Sequence, residues 1–391
     1  MILQTTQYEA IVVGAGPAGS YAARCLSELG HDVALVDENE GPRCTVICSG
    51  IVGREAFEIL PLPKHAVIDT IRRAHFVSPS GMTVEYAPRD PLAYVVDRTR
   101  FDGALAAEAV EAGAVLFPGC TARHIEKSDV AVTVTVRRNG RDRVLRARAL
   151  VVATGYQRPL HQTVGLGAPR RYVHGIHAEV PFGDLNGAEL YFGTGVSRGF
   201  FAWAVPFGNG VARLGILSDR NGRDLFKRFV GQLAIESRMS DDETLRESGS
   251  PRFHSRAIVQ DFVHPSFADR TLAVGEAAGQ VKTTTGGGIY YGAIGAQIAA
   301  DILSRALRRN RLGAEHLRRY EEAWHDRLGP EIRAGLELQR IGRAMDNPSI
   351  DKLFEACQNG LGTAIRQAVR FDWHRPALRL LFEKTRRRLG R

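Results

Sequence analysis

The chain has 391 residues, 44% of them apolar, and its 52 Lys and Arg against 43 Asp and Glu give a net charge of +9. That length and apolar share can bury a sizeable core in two or three domains, and the lack of an uncharged apolar run of about 18 residues argues against a membrane-spanning helix. Basic and acidic residues are interleaved and no zinc-finger, RRM or helix-turn-helix pattern occurs, so nucleic acid is not an expected partner. Five cysteines (Cys25, Cys44, Cys48, Cys120, Cys357) are scattered and odd in number, which suits a reducing cytoplasm rather than a disulfide framework. The first strand starts so near Met1 that no signal or transit peptide is expected.

Residues 10–37, AIVVGAGPAGSYAARCLSELGHDVALVD, set the expected architecture. An apolar strand over 10–13 runs into Gly14, Gly16 and Gly19, an alanine-rich helix follows, and a second apolar strand over 33–36 ends at Asp37. This is the β-α-β dinucleotide fingerprint. Gly14 turns the chain off the strand, Gly16 leaves room for a pyrophosphate, and Gly19 lets helix and strand pack closely. The pyrophosphate faces free N–H groups at the positive end of the helix, and Asp37 accepts hydrogen bonds from ribose hydroxyls.

A loop over 42–53 carries Arg43, Cys44 and Cys48; no histidine or further cysteine pair stands at ligand spacing, so no metal is expected. β-like runs at 76–77, 83–86 and 94–96 precede a capped helix over 97–113. A strand at 114–117 leads to a hairpin with arms 130–137 and 143–147 and an Asn139-Gly140 turn. A separate buried strand, 149–155, ends in Thr154-Gly155 and returns this β-meander to the first sheet. Residues 156–267 carry short β runs at 172–180, 189–192, 200–205 and 211–217. Phe201, Trp203 and Val205 share one face there, as core or as the wall of an apolar cavity. A last apolar strand at 272–274 leads through Gly275-Glu276 to Gly286, Gly287 and Gly288 and a helix of small residues, a second glycine-rich helix start whose positive end stabilises negative charge. Over 310–370 several short helices are expected, broken at Gly329-Pro330, Asn347-Pro348 and Gly360/Gly362. The tail 374–391 is basic and amphipathic, a solvated helix or a contact with an anionic bilayer.

These pieces together resemble the FAD-dependent geranylgeranyl reductase family, within the wider p-hydroxybenzoate hydroxylase-like flavoproteins. The resemblance runs from about Tyr8 to at least Leu307, on GAGPAG (14–19), RCTVICSG (43–50), DRTRFDGAL (97–105), ATG (153–155), FAWAVP (201–206), GEAAG (275–279) and TTTGGGIYYG (283–292). FAWAVP is similar to the family's YxWxFP motif and, with Cys48-Ser49-Gly50, discriminates best. Phe201 stands for that motif's tyrosine, Val205 for its phenylalanine, and Glu276 for the aspartate of GDAAG.

The resemblance implies an α/β fold with a Rossmann-like FAD-binding domain and β-meander (1–65, 97–158 and 268–309). It adds an antiparallel β-sheet substrate domain (66–96 and 159–267) and a C-terminal helical region with a basic tail (310–391). It implies FAD against Gly14, Gly16, Ala18, Gly19, Asp37, Arg43, Cys48, Ser49, Gly50, Arg98, Ala122, Thr154 and Gly155, and against Gly275, Glu276, Gly286, Gly287, Gly288 and Ile289. Phe201, Trp203, Val205 and Pro206 are the implied substrate contacts and Cys48 the implied catalytic candidate, with Tyr290 and Tyr291 as further candidates for their place beside the glycine loop. The implied chemistry saturates isolated C=C bonds of a polyprenyl lipid, lipid precursor or quinone tail, by hydride transfer from reduced flavin and protonation of the second carbon. With one dinucleotide fingerprint present, electrons come from visiting NAD(P)H or from a donor protein such as ferredoxin. The expected location is the cytoplasm, with the tail 374–391 at the inner face of the cell membrane. Rival readings are a monooxygenase or halogenase on the same fold, a lycopene-cyclase-like flavoenzyme without net redox change, and a flavin-binding redox sensor.

Overall fold

Successive residues of the first apolar strand enter different cores: Ala10 and Val12 join one buried cluster, Ile11 and Val13 another. A strand points alternate side chains to opposite faces, so an unbroken apolar run marks a sheet covered on both sides. In the computed structural model, which describes residues 5–41, 48–157, 159–236, 253–361 and 370–376, that sheet is the spine of the molecule.

The elements begin with β1 (Thr5–Val13), α1 (Pro17–Glu28), β2 (Val33–Val36), β3 (Ile51–Gly53), α2 (Arg54–Ile59), β4 (Val67–Ile71), β5 (Ala74–Val77), β6 (Thr83–Tyr86), β7 (Ala93–Val96) and α3 (Arg98–Glu111). They continue with β8 (Val115–Phe117), β9 (Thr121–Lys127), β10 (Val132–Arg138), β11 (Arg141–Val152), α4 (Pro159–Thr163), β12 (Tyr172–Pro181), β13 (Ala188–Tyr191), β14 (Ala202–Pro206), β15 (Val211–Ser218) and α5 (Gly222–Ile235). The described part closes with β16 (His254–Val259), β17 (Phe267–Ala268), β18 (Thr271–Ala273), α6 (Ile289–Arg308), α7 (Ala314–Ala344) and α8 (Asn347–Ala356).

The spine has the strand order β17-β18-β11-β1-β2-β8, with β9 and β10 folded onto β11. One face is covered by α1, α3, α6 and α7, the other by the β9–β10 meander. The hairpin turn falls on Asn139 and Gly140, at φ 49° and 76°, the positive pair that a two-residue turn between twisted strands requires. The second hairpin arm and the buried strand after it, separate by sequence, are one strand, β11. Arg148 at the junction does not interrupt it, because its guanidinium bonds Glu9 Oε1 at 3.1 Å and the Leu307 carbonyl at 2.6 Å.

A second sheet, β16-β12-β15-β14-β13-β5-β6, is antiparallel except for the parallel pair β13–β5. Residues 66–96 therefore divide: β5 and β6 join this sheet, whereas β4 and β7 form a small sheet with β3. Ala202, Ala204, Leu214 and Ile216 pack toward α5. Phe201, Trp203 and Leu217, on the opposite face, stay with Val173 and Ile258.

The expected helix break at Gly329-Pro330 does not occur. Proline in a helix interior costs about 3 kcal/mol, but Leu317, Tyr320, Trp324, Leu328 and Ile332 are all fully buried on one stripe of α7. Each such side chain contributes roughly 1.5–3 kcal/mol on burial, so packing outweighs the proline. The 31 residues of α7 then span about 46 Å, enough to run from the spine to the far sheet. The break at Asn347-Pro348 is real: Asp346 caps α8 by accepting from the Ser349 N–H at 3.0 Å.

Candidate functional site

The chain turns off β1 at Gly14, where φ is +105° and a Cβ would come 2.4 Å from the Ala153 carbonyl oxygen. A Cβ on Gly19 would overlap the Gly14 oxygen at 1.8 Å, so helix and turn touch there. Gly16 is different: a Cβ there would meet nothing within 4 Å, because the residue opens onto a cavity. The first turn of α1 has no side-chain cap and no acid, leaving its N–H groups directed to that space. Asp37 is fixed beside it by the Ala15 N–H on Oδ2 at 2.7 Å and the Asn39 N–H on Oδ1 at 2.9 Å. A glycine opening, free helix N–H groups and an anchored carboxylate fit a dinucleotide's pyrophosphate and ribose.

A second helix start closes on the first. Ala18 stands between Gly275 and Gly292, whose added Cβ atoms would lie 2.6 and 3.2 Å from its own. The turn before α6 is held by the Lys282 N–H on the Gly287 oxygen at 2.9 Å and the Gly286 N–H on the Lys282 oxygen at 2.8 Å. Helix α7 fixes this turn from behind. Thr283 Oγ1 donates to the Ile332 carbonyl at 2.8 Å, Gln339 bonds Gln260 and the Thr283 carbonyl, and Gln280 bridges the Gly275 N–H and the Tyr320 hydroxyl, each at 2.7 Å. The N-terminus of α6 likewise carries no side-chain cap.

Both helix ends open into one cavity of about 1290 Å³, larger than the roughly 300–1,000 Å³ of ordinary ligand pockets. Beyond the glycines it becomes apolar. Trp203 lies 6.0 Å from Phe201, Phe201 6.0 Å from Phe192, and Phe192 6.3 Å from Phe76 and 6.0 Å from Phe354, ring centre to ring centre. Leu338 and Ile341 of α7 and Ile350 and Leu353 of α8 complete this wall.

Cys48 lines the same cavity. Burial pushes its thiol up, but the Arg98 guanidinium, the Gly50 N–H at 3.4 Å and the charge of Arg213 outweigh that and leave it below the ordinary thiol value. Arg98 is itself held by two 2.9 Å bonds to Asp102. Arg213, stacked 3.7 Å above Phe207, donates to the Cys48 carbonyl at 2.7 Å and pairs with Glu179. His177, also on the cavity, is pushed down to about 3 by burial and by the charges of Arg213 and His254, so it is neutral at neutral pH.

The sequence model described as the FAD binding domain matches residues 7–328. The chain belongs to that family. It is thus an FAD-dependent oxidoreductase by family, and the two helix ends and the carboxylate of Asp37 line the cavity in which such a dinucleotide would fit. Digeranylgeranylglycerophospholipid reductase of Methanocaldococcus jannaschii is 29% identical over 364 residues, covering 90% of this chain and 91% of that protein. Digeranylgeranylglycerophospholipid reductase 1 of Methanothermobacter thermautotrophicus is 28% identical over 378 residues, 92% of each. Among solved structures, a geranylgeranyl bacteriochlorophyll reductase-like protein from Thermoplasma acidophilum superposes with a TM-score of 0.85 at 20% identity, covering 97% of both chains. A flavin-dependent brominase does so with 0.71 at 17% identity, covering 98% of this chain and 100% of the other. Likenesses at such identity speak to the fold.

Gly14, Gly16, Ala18, Asp37, Cys48, Ser49, Arg98, Ala122, Thr154, Gly155, Gly275, Glu276, Gly286, Gly287, Gly288 and Ile289 all line the cavity, as do Phe201, Trp203 and Val205. Gly19 and Gly50 do not line it, Gly19 packing on the Gly14 carbonyl and Gly50 on the Val96 carbonyl and Arg213, and Arg43 lies outside the described residues. Glu276, expected to meet a sugar hydroxyl, already pairs with Arg256 and accepts the Val259 N–H at 3.0 Å. Pro206 does not line the cavity. Nor do Tyr290 and Tyr291, a correction to their expected role: both are buried in the core, one hydroxyl on Glu55 and the other on the Asp372 carbonyl, each at 3.0 Å. The basic tail also starts differently. His374 packs at the cavity rim, bonded to Thr284 and Glu331 at 2.7 and 2.9 Å, while 377–391 lie outside the described residues. Sequence reasoning missed Phe192, Arg213, Lys282 and residues 370–373, and read 374–376 only as the start of the tail. Only Lys282, directly before the TTTGGGIYYG stretch, had a neighbouring sequence signal.

Among the described residues no helix is long and apolar enough to cross a membrane, and no group of His, Cys, Asp and Glu is placed to hold a metal.

Proposed function

We propose that this protein saturates isolated C=C bonds in the polyprenyl chain of a lipid, lipid precursor or quinone. The observation that supports this reading most is the aromatic row Trp203, Phe201, Phe192 and Phe354, which continues the FAD cradle within a single cavity. An apolar chain gains about 25 cal/mol for each Å² of surface it buries there, and the names of the two curated relatives agree with such a substrate.

Reduced FAD, when bound, supplies the hydride. The rest falls to the chain. The aromatic wall holds the alkene still, since an unactivated double bond accepts hydride only when closely positioned. The Cys48 thiol gives a proton to the other carbon, and the Arg98 guanidinium stabilises the thiolate left behind. Asp102 fixes Arg98, and Arg213 fixes the backbone of Cys48.

Electrons come from NAD(P)H or from a ferredoxin-class protein, and anaerobic bleaching of the FAD absorbance by one and not the other decides between them. Prenyl substrates reside in bilayers, so the basic tail is read as a contact with an anionic inner membrane face in the cytoplasm; a truncation after Pro376 that leaves liposome binding unchanged rules this out. The test of the site is Phe192→Asp. It should keep FAD, read by absorbance, and lose prenyl reduction; full activity in that variant would overturn the proposed substrate wall.

A further inference from the structure

Lys282 is 7% exposed, and its Nζ lies 2.6 Å from Oδ1 of Asp372, which is 1% exposed. The two residues are distant in the chain. Asp372 belongs to the described segment 370–376, which returns to the glycine turn before α6. Its Oδ2 has no hydrogen-bond partner among the described residues and presses on Gly53, where a Cβ would lie 1.9 Å from it. Lys282 runs beneath the turn: a Cβ on Gly287 would lie 2.8 Å from its Cε and 3.5 Å from its Nζ. Phe371 flanks the ammonium, its ring centre 4.6 Å away.

Burying such a pair costs several kcal/mol per ion and returns little net stability. A carboxylate with one oxygen unsatisfied makes this pair a poor structural clamp. Its position gives it another use. The turn and the N-terminus of α6 form the second helix end on the same cavity; with the pyrophosphate read at Gly14–Gly19, this second end is left for the flavin ring, where reduction adds negative charge. A full cation at this buried position acts more strongly on such charge than the half-charge of a helix end.

We infer that Lys282 is the cation that balances the charge of reduced FAD, and that Asp372 both holds it in place and opposes it. This rests on the FAD site described above. The pair thereby sets the affinity for reduced relative to oxidised FAD.

The experiment is an anaerobic dye-equilibrium titration of the FAD potential in the holoprotein, in wild type and in Lys282→Met, Lys282→Arg and Asp372→Asn. Lys282→Met should weaken binding of reduced relative to oxidised FAD about tenfold, which lowers a two-electron potential by about 30 mV. Asp372→Asn should raise it, and Lys282→Arg should stay near wild type. A clamp without an electrostatic role would move Met and Asn variants in the same direction, or neither, and that result overturns the inference. If Lys282→Met does not fold, Lys282→Gln serves the same comparison. A wild-type protein that binds no FAD would overturn the site itself, a failure visible in its absorbance before any potential is measured.

Discussion

Gly215 of β15 lies directly beneath the indole of Trp203, its partner across β14 and β15: a Cβ at 215 would come 2.1 Å from Trp203 Cζ2. A bare backbone at that one position lets the ring lie flat against the sheet and face the cavity. Gly215→Ala forces the indole to move, with an overpacking cost of about 1–3 kcal/mol. Thermal unfolding should show that loss, and substrate binding should weaken more than FAD binding.

The Arg98 guanidinium keeps the Cys48 thiol below its ordinary range despite burial. In a variant retaining Cys48 alone among the cysteines, alkylation by iodoacetamide should therefore set in at a lower pH than for a free thiol. Arg98→Met should move that onset upward. Equal onset in the two proteins would remove Arg98 from the account.

His374 is pushed down to about 4 from 6.5 by burial and by the charge of Lys282. Its folded value lies below the unfolded one, so between those values the unfolded chain holds more protons and stability rises with pH. The contribution is complete above about pH 6.5 and disappears as pH falls through 4. Denaturant titrations of His374→Gln should show a flatter pH dependence over that window than wild type.

Pro330 lies inside α7 and removes one helical hydrogen bond. Pro330→Ala should stabilise the protein, by up to about 3 kcal/mol, with the midpoint of urea unfolding as the measure. A lower midpoint would mean that the proline ring packs better than the restored bond.

What was legible in the sequence is what neighbouring residues decide. Gly14, Gly16, Gly19 and Asp37 announced a tight strand-to-helix turn beside an anchored carboxylate because each answers a local steric or charge demand, and Asn139-Gly140 announced its turn for the same reason. The alternation in FAWAVP announced which residues share a face, and the cavity, present only once two sheets and α7 meet, makes that face a wall. Pro330 misled because a propensity of a few kcal/mol yields to five buried side chains on one helix stripe. Tyr290 and Tyr291 misled because helical position alone does not say whether the first turn faces cavity or core. Lys282 and Asp372, like Cys48 and Arg213, meet only through tertiary packing, and no local pattern records such a pair.

The most direct test of the central claim is anaerobic single-turnover of the dithionite-reduced holoprotein with prenyl diphosphates, prenyl ether lipids and menaquinones, read by mass. Reduction of isolated double bonds predicts a product heavier by two hydrogens for each bond, formed without oxygen. A product of unchanged mass, or one that forms only when oxygen is admitted, would contradict it.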